Sequence, residues 1–328
     1  MHLVVAGGLR IDYVITAHGE VRVRQIGGNA VYAAVGARSW IKEVQLLAKA
    51  GDNFPETWLV QLAKQGLRTD GVRRVPGWQE MRTFYAYLDE QTRVDRDPGV
   101  HFARVGHPLP ADLEGYVNSV VGQTAEANSP MTLWADDISR SMAGCDTVHI
   151  APIGFSSQNS LVTQFRQRGV TQITVDPGED THTDQRRAQV RQMCGSIDAF
   201  MPSENEVRLL LGDRDSREAA EILANWGPSV VAIKRGPHGC LLYERDARRF
   251  TSIPAFPARV VDVTGAGDSF CGGFAVGLKQ SGDPRTAALM GTVSASFAVE
   301  TYGALAGLEV ESKRASERLE FLRQRVSG

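Results

Sequence analysis

The nine residues Asp262–Phe270, DVTGAGDSF, hold the densest chemistry in the chain. Gly265, Ala266 and Gly267 form a small-residue turn directly before an acid, Asp268. The stretch that follows, to Leu278, reads as a helix built from small and apolar residues. A turn that opens a helix leaves backbone N–H groups without intrahelical partners, and these donors together with the helix dipole suit an anion such as a phosphate. An acid in the first helical turn is placed to take a proton from a nucleophile. An anion cradle beside a base is most of what phosphoryl transfer to an alcohol requires. An Asp at this position also serves as an ordinary cap or dipole partner, and the short string alone does not separate the two roles.

Short apolar runs alternating with helical patterns must position this turn, and such alternation marks a parallel sheet covered by helices. Leu3–Gly7, Val44–Ala50, Asp146–Pro152, Gln172–Asp176, Asp198–Pro202 and Val230–Lys234 read as strands, with Cys240–Tyr243 returning antiparallel after Gly236-Pro237-His238-Gly239. Ala30–Ser39, Phe54–Gln65, Ser157–Arg168, Asp184–Met193, Glu204–Leu211, Arg217–Trp226 and Pro284–Glu300 read as helices. Two β-like segments, Tyr13–Gln25 and Met81–Asp89, break the rhythm, each with a central turn expected. They are expected to pair as a small sheet over one end of the core. Asp95–Pro110, rich in Pro and Gly, reads as the least structured stretch, and Glu311–Val326 as a charged helical tail with a solvated face.

Composition narrows the classes. A net charge of −2 over 328 residues gives no electrostatic case for nucleic acid or an anionic membrane as partner. Cys145, Cys194, Cys240 and Cys271 lie far apart with no CxxC pattern, and the histidines form no ligand spacing, so neither a disulfide framework nor a zinc site is expected. The N-terminus lacks a basic region before its short apolar run, and no apolar run reaches the length of a membrane span. A cytoplasmic protein is the expectation. The absence of GxxxxGK[ST] excludes a P-loop enzyme, and the absence of GxGxxG after a strand leaves a dinucleotide oxidoreductase unsupported.

DVTGAGDSF resembles the signature of the PfkB (ribokinase-like) carbohydrate kinases, Asp-Thr-Thr-Gly-Ala-Gly-Asp-Ser-Phe, and departs from it at Val263 alone. The resemblance spans about residues 3–305. It implies a three-layer α/β/α sandwich with a mostly parallel central sheet and a small β lid. Residues 1–310 would form the kinase domain, with lid segments near 13–25 and 81–93, and residues 311–328 a helical tail. The implied reaction is transfer of the ATP γ-phosphate to a hydroxyl of a sugar or sugar-like alcohol, with Mg²⁺. Asp268 is implied as catalytic base, and the Gly265, Ala266 and Gly267 amides as the anion hole. Asp262 and Thr264 match positions that help hold a monovalent cation such as K⁺, although turn-stabilising hydrogen bonds explain them equally well.

Other segments carry the resemblance further. Pro202–Glu206 is similar to the family's Asn-x-x-Glu motif, with Glu206 matching the residue that orients metal-bound water and Ser203 standing where the family has Asn. Lys234-Arg235-Gly236-Pro237-His238-Gly239 resembles the turn along the nucleotide, with Lys234 implied to reach the phosphates and Gly236 and Gly239 to allow close backbone approach. Gly291–Ala298 falls where the family packs a helix against adenine. On the acceptor side, Asp12 matches a hydroxyl-binding acid, and Gly27-Gly28 a glycine pair beside the substrate. The family's following Asn falls on Tyr32, which removes a polar contact and offers a ring that could stack on a base, while Asn29 is the nearest compensating amide. Arg10 and Arg82 are further candidates to meet an anionic acceptor. Two alternatives stay open: a nucleoside kinase of the same superfamily, and a nucleotide-binding regulatory protein with little turnover. Lid-mediated dimers occur in the family, so a homodimer is one expected assembly.

Overall fold

The computed structural model describes residues 1–89, 92–118, 129–178, 186–309 and 312–326. In chain order the strands are β1 (Leu3–Ala6), β2 (Arg10–Ile15), β3 (Val21–Gly27), β4 (Val44–Gly51), β5 (Leu67–Arg68), β6 (Val72–Val75) and β7 (Arg82–Tyr87). There follow β8 (Arg93–Val94), β9 (Thr147–Ile150), β10 (Gln172–Val175), β11 (Ala199–Phe200), β12 (Val230–Lys234), β13 (Cys240–Glu244) and β14 (Arg249–Ile253). The central sheet runs β14-β13-β12-β11-β10-β9-β1-β4-β5, with β6 also paired to β4. Pairings from β12 through β5 are parallel, and only β13 and β14 are antiparallel.

The strands are apolar on both faces because helices cover both faces. Side chains alternate across β1, so Leu3 and Val5 enter one core while Val4 and Ala6 enter the other. One helical layer contains Asn29–Arg38, Ala266–Ser281 and Pro284–Ala298. Their small residues let backbones touch: a Cβ on Gly272 would lie 1.8 Å from the Ala33 carbonyl oxygen, and one on Gly36 2.1 Å from that of Ser269. This contact fixes the start of the Ala266–Ser281 helix against the Asn29–Arg38 helix, which begins directly after Gly27-Gly28.

The two β-like segments pair as expected, in a separate sheet ordered β3-β2-β7-β8. Several details differ. The sheet begins at Arg10, so Asp12 lies on one of its strands. Strand β7 contains no turn; its antiparallel partner is β8, and residues 90 and 91 between them lie outside the described residues. Asp95–Pro110 is not devoid of structure: Pro98–Arg104 is a helix with Pro at its start, where a missing N–H costs nothing, and Phe102 anchors it under Phe84 at 5.9 Å between ring centroids. The C-terminal helix, Ser312–Val326, is no freely solvated tail. Ala315, Leu319, Leu322 and Val326 recur on one face and are buried in the main core, and Arg318 donates to Glu300 at 2.7 Å. Short strands β5, β6 and β14 carry too few apolar residues to stand out in the sequence. The predicted helix at Asp184–Met193 appears as Arg187–Cys194, with residues 184 and 185 outside the described residues.

Candidate active site

The signature turn stands at the N-terminus of the Ala266–Ser281 helix. Gly265 caps it in a left-handed conformation, φ 74° and ψ 5°, which a side chain at this position would strain. Space imposes a second requirement for glycine: a Cβ there would lie 2.1 Å from ring atoms of Tyr32. Asp262 is buried and accepts the Thr264 backbone N–H at 2.9 Å, which closes the approach to the turn. The Thr264 hydroxyl pairs with the Tyr87 hydroxyl at 3.0 Å, tying the turn to β7 of the second sheet. Burial pushes the Asp262 carboxyl above its ordinary value.

Asp268 occupies the first turn of the helix, as the sequence predicts. Burial pushes its pKa up to about 6, with Lys234 pulling it down and Glu206 pushing it up. A carboxylate tuned in this way is a better proton acceptor near neutral pH than an ordinary exposed Asp.

Lys234, the last residue of β12, extends beneath the same turn. A Cβ on Gly267 would sit 3.7 Å from its Nζ. The ammonium donates to Asp176 Oδ2 at 2.5 Å, and Cys271 Sγ lies 3.4 Å from the same oxygen. Asp176 follows directly on β10 and is buried, and among the described residues its Oδ1 has no hydrogen-bond partner. Burial raises Asp176, and the adjacent carboxylate holds Lys234 firmly protonated against its own burial. The pair keeps one positive charge fixed under the anion cradle.

Ser203 and Glu206 form a capping box at the start of the Glu204–Leu211 helix. Glu206 N–H donates to Ser203 Oγ at 3.2 Å, and Ser203 N–H to Glu206 Oε2 at 2.6 Å. The hydroxyl where the family carries Asn therefore has a local structural duty, and one Glu206 oxygen is committed to it. Glu206 is still close enough to raise Asp268 and Asp176. Ser203 also bridges to Lys234 across the end of the sheet. In the turn beyond, Gly236 has φ 53° and open space where a side chain would be, whereas Gly239 is pressed on its own fold, with a Cβ falling 2.0 Å from the Ile253 oxygen.

At the acceptor end, Asp12, Gly27, Gly28, Asn29 and Tyr32 do come together. A Cβ on Gly27 would fall 1.7 Å from Asp12 Oδ2, and one on Gly28 2.3 Å from the Gly8 oxygen. Asn29 is spent on the backbone: it accepts from Gly8 N at 2.7 Å and donates to the Pro152 oxygen at 2.5 Å. Both bonds brace the end of β1. Tyr32 is only 5% exposed, packed on Gly265 with its hydroxyl 3.4 Å from Asp12 Oδ2, so its ring offers no open stacking face. Burial pushes Asp12 up to about 7, and Arg10 pulls it back. Arg10 donates to the Glu80 carbonyl, and Arg82 is paired with Glu80, so both arginines brace the second sheet.

The sequence did not single out Asp176, Cys271 or Tyr87. An acid ending a buried strand was the available signal for Asp176, but its partner Lys234 lies 58 residues away. Among the described residues no group of three or more His, Cys, Asp or Glu side chains is arranged to hold a metal, and no helix is long and apolar enough to cross a membrane.

A three-layer α/β/α sandwich whose sheet ends gather a glycine-capped helix start, a part-buried lysine and an acid is the fold of a phosphotransferase with an alcohol acceptor. Residues 156–311 match the pfkB family carbohydrate kinases, and the chain belongs to that family. It is 36% identical over 286 residues to a deoxyribokinase of Salmonella typhi, covering 84% of this chain and 82% of the relative. It is 29% identical over 280 residues to a cytidine kinase of Thermococcus kodakarensis, covering 85% and 89% of the two chains. A candidate ribokinase II from E. coli, solved in complex with ATP and Mg²⁺, superposes with a TM-score of 0.72 over 99% of both chains at 19% identity.

Proposed function

We propose that the protein transfers the γ-phosphate of ATP to a hydroxyl of a pentose, free or within a nucleoside. The observation that carries this reading is the Gly265-capped helix with Asp268 in its first turn and the Lys234 ammonium beneath Gly267. Asp12 binds the acceptor, assisted by the close backbone of Gly27 and Gly28, and Tyr32 braces Asp12 from the side. Asp268 accepts the proton of the attacking hydroxyl. The N–H groups at Gly265 and Gly267 receive the charge that develops on the phosphoryl oxygens, each such donor being worth roughly 3 kcal/mol in a dry site, whereas the Ala266 N–H donates to the Val263 oxygen at 3.2 Å and shapes the turn. Lys234 supplies a fixed positive charge on the same side. The Gly236–Gly239 turn, with its open face at Gly236, lies along the nucleotide.

The donor set fits a hydrated Mg²⁺ carried in with the nucleotide and not a protein-caged ion, because one carboxylate, Glu206, is available and half-buried beside Asp268. Mg²⁺ there would neutralise phosphate charge. A monovalent cation behind the cradle would be held by Asp262, since the Thr264 hydroxyl is committed to Tyr87. The second sheet, pinned to the turn through Tyr87, serves as the lid that keeps water from the phosphoryl group.

A pentose acceptor is favoured over a purely regulatory role by the intact base, and over a larger sugar by the greater identity of a deoxyribokinase, 36%, and a cytidine kinase, 29%, than of a 2-dehydro-3-deoxygluconokinase, 25%, all of which span most of the chain. The test is ATP turnover with D-ribose, 2-deoxy-D-ribose, cytidine and 2′-deoxycytidine. Phosphorylation of at least one supports the proposal. Tight ATP binding with no acceptor phosphorylated supports the regulatory reading instead.

A further inference from the structure

Asp12 presents its two carboxylate oxygens unequally. Oδ2 is boxed in: the Gly27 backbone lies so close that a Cβ would fall 1.7 Å from it, and the Tyr32 hydroxyl is 3.4 Å away. Oδ1 is farther from the same Gly27 position, at 2.6 Å, and no hydrogen bond to it is found among the described residues. Tyr32 is also held in place at its other end. Its ring sits on Gly265, and its carbonyl oxygen accepts from the Ser269 hydroxyl at 3.1 Å. The phenol is therefore a fixed donor, not a side chain free to swing aside. A free carboxylate grips a vicinal diol by accepting one hydroxyl on each oxygen. With Oδ2 hemmed in by the Gly27 backbone and facing the Tyr32 phenol, a second hydroxyl finds there only a crowded acceptor position that returns less than the solvent partners it gives up, which disfavours its binding.

We infer that Tyr32 makes the acceptor site selective for deoxypentose acceptors, free or in a nucleoside, over their vicinal-diol counterparts, by crowding the Asp12 oxygen that a second hydroxyl would need. The inference rests on the proposed acceptor role of Asp12. Tyr32 acts here as a specificity-determining residue that never touches the transferred phosphoryl group. The ring matters to the fold through Gly265, while the hydroxyl matters to acceptor choice. The two duties are separable, because Tyr32→Phe keeps the ring and removes only the donor.

The experiment compares two matched pairs, D-ribose with 2-deoxy-D-ribose and cytidine with 2′-deoxycytidine, by kcat/KM and by calorimetric Kd with a non-hydrolysable ATP analogue present. The wild-type protein is expected to favour the deoxy member of at least one pair by about fivefold or more, the size of one uncompensated neutral hydrogen bond. Tyr32→Phe is expected to shrink that ratio by about the same factor, mainly through KM and Kd. A wild-type preference for the diol member in both pairs overturns the inference without recourse to any variant. A deoxy preference that survives unchanged in folded Tyr32→Phe overturns it as well. Deoxy-selective binding without turnover upholds the inference and contradicts the kinase reading; absence of binding by every compound overturns both.

Discussion

Lys234 Nζ donates to Asp176 Oδ2 at 2.5 Å, and this buried pair lies directly under the backbone of Gly267. It joins the end of β12 to the end of β10 and places a cation between the anion cradle and the proposed base. Two consequences follow from its position, one electrostatic and one structural.

The electrostatic consequence concerns pH. Proton acceptance by Asp268 requires the carboxylate form, so activity rises as pH passes upward through its pKa of about 6. Burial raises that pKa and Lys234 opposes the rise. In Lys234→Met the acid limb of the kcat/KM profile is expected to move to higher pH by about one unit, and the plateau rate to fall. A limb that stays in place or moves to lower pH contradicts the assignment of Asp268 as the titrating base.

The structural consequence concerns stability. Asp176→Asn removes the partner of a part-buried ammonium, and breaking such a pair is expected to cost about 2–3 kcal/mol, toward the lower end of the range for a fully buried pair. Denaturant unfolding should show that loss in the midpoint, with the ATP-site residues otherwise unaltered. A stability change under about 1 kcal/mol would show that the pair is better solvated than its burial indicates.

Glu206 has one observed role, in the capping box, and one proposed role, toward Mg²⁺, and one substitution separates them. Gln can still accept from the Ser203 N–H, so Glu206→Gln is expected to keep the capping box and the thermal midpoint nearly unchanged. Removing the charge should raise the Mg²⁺ concentration needed for half-maximal turnover several-fold, about the effect of one lost outer-sphere carboxylate. Ser203→Ala gives the opposite pattern, a helix-cap loss of about 1 kcal/mol with the Mg²⁺ requirement intact. If Glu206→Gln leaves the Mg²⁺ titration unmoved, Glu206 is a cap and nothing more.

Gly265 answers to both backbone and space. Gly265→Ala meets a left-handed φ of 74° and the Tyr32 ring at once. The expected result is a loss of about 2 kcal/mol or more in stability and a larger proportional loss of turnover than of ATP affinity, because the cradle is displaced where charge develops. The measurement is equilibrium unfolding alongside steady-state kinetics.

Much of this architecture could be read from the chain before any coordinates. The parallel strands announced themselves as short apolar runs because burial on both faces demands it, and DVTGAGDSF fixed the place of the cradle because few other local strings put glycines and an acid at a helix start. What escaped notice was set by distance in sequence or by weak pattern. Asp176 gains its meaning only from Lys234, and Tyr87 only from Thr264. The backbone partners of Asn29, Gly8 and Pro152, lie 21 and 123 residues away and could not be read from its surroundings in the sequence. Tyr32 looked like a stacking platform until Gly265 proved to lie against its ring. The apolar stripe Ala315, Leu319, Leu322 and Val326 was present in the C-terminal helix but was masked by the charged residues between its members.

The most direct test of the central claim is transfer of phosphate from ATP to the best pentose acceptor by the wild type and by Asp268→Asn, each at saturating ATP and acceptor, with ATP affinity measured in parallel. The account predicts that Asp268→Asn binds ATP about as well as the wild type while its kcat falls by about 10²–10⁴-fold, the range expected for loss of a positioned base. A variant that retains the wild-type kcat would contradict it.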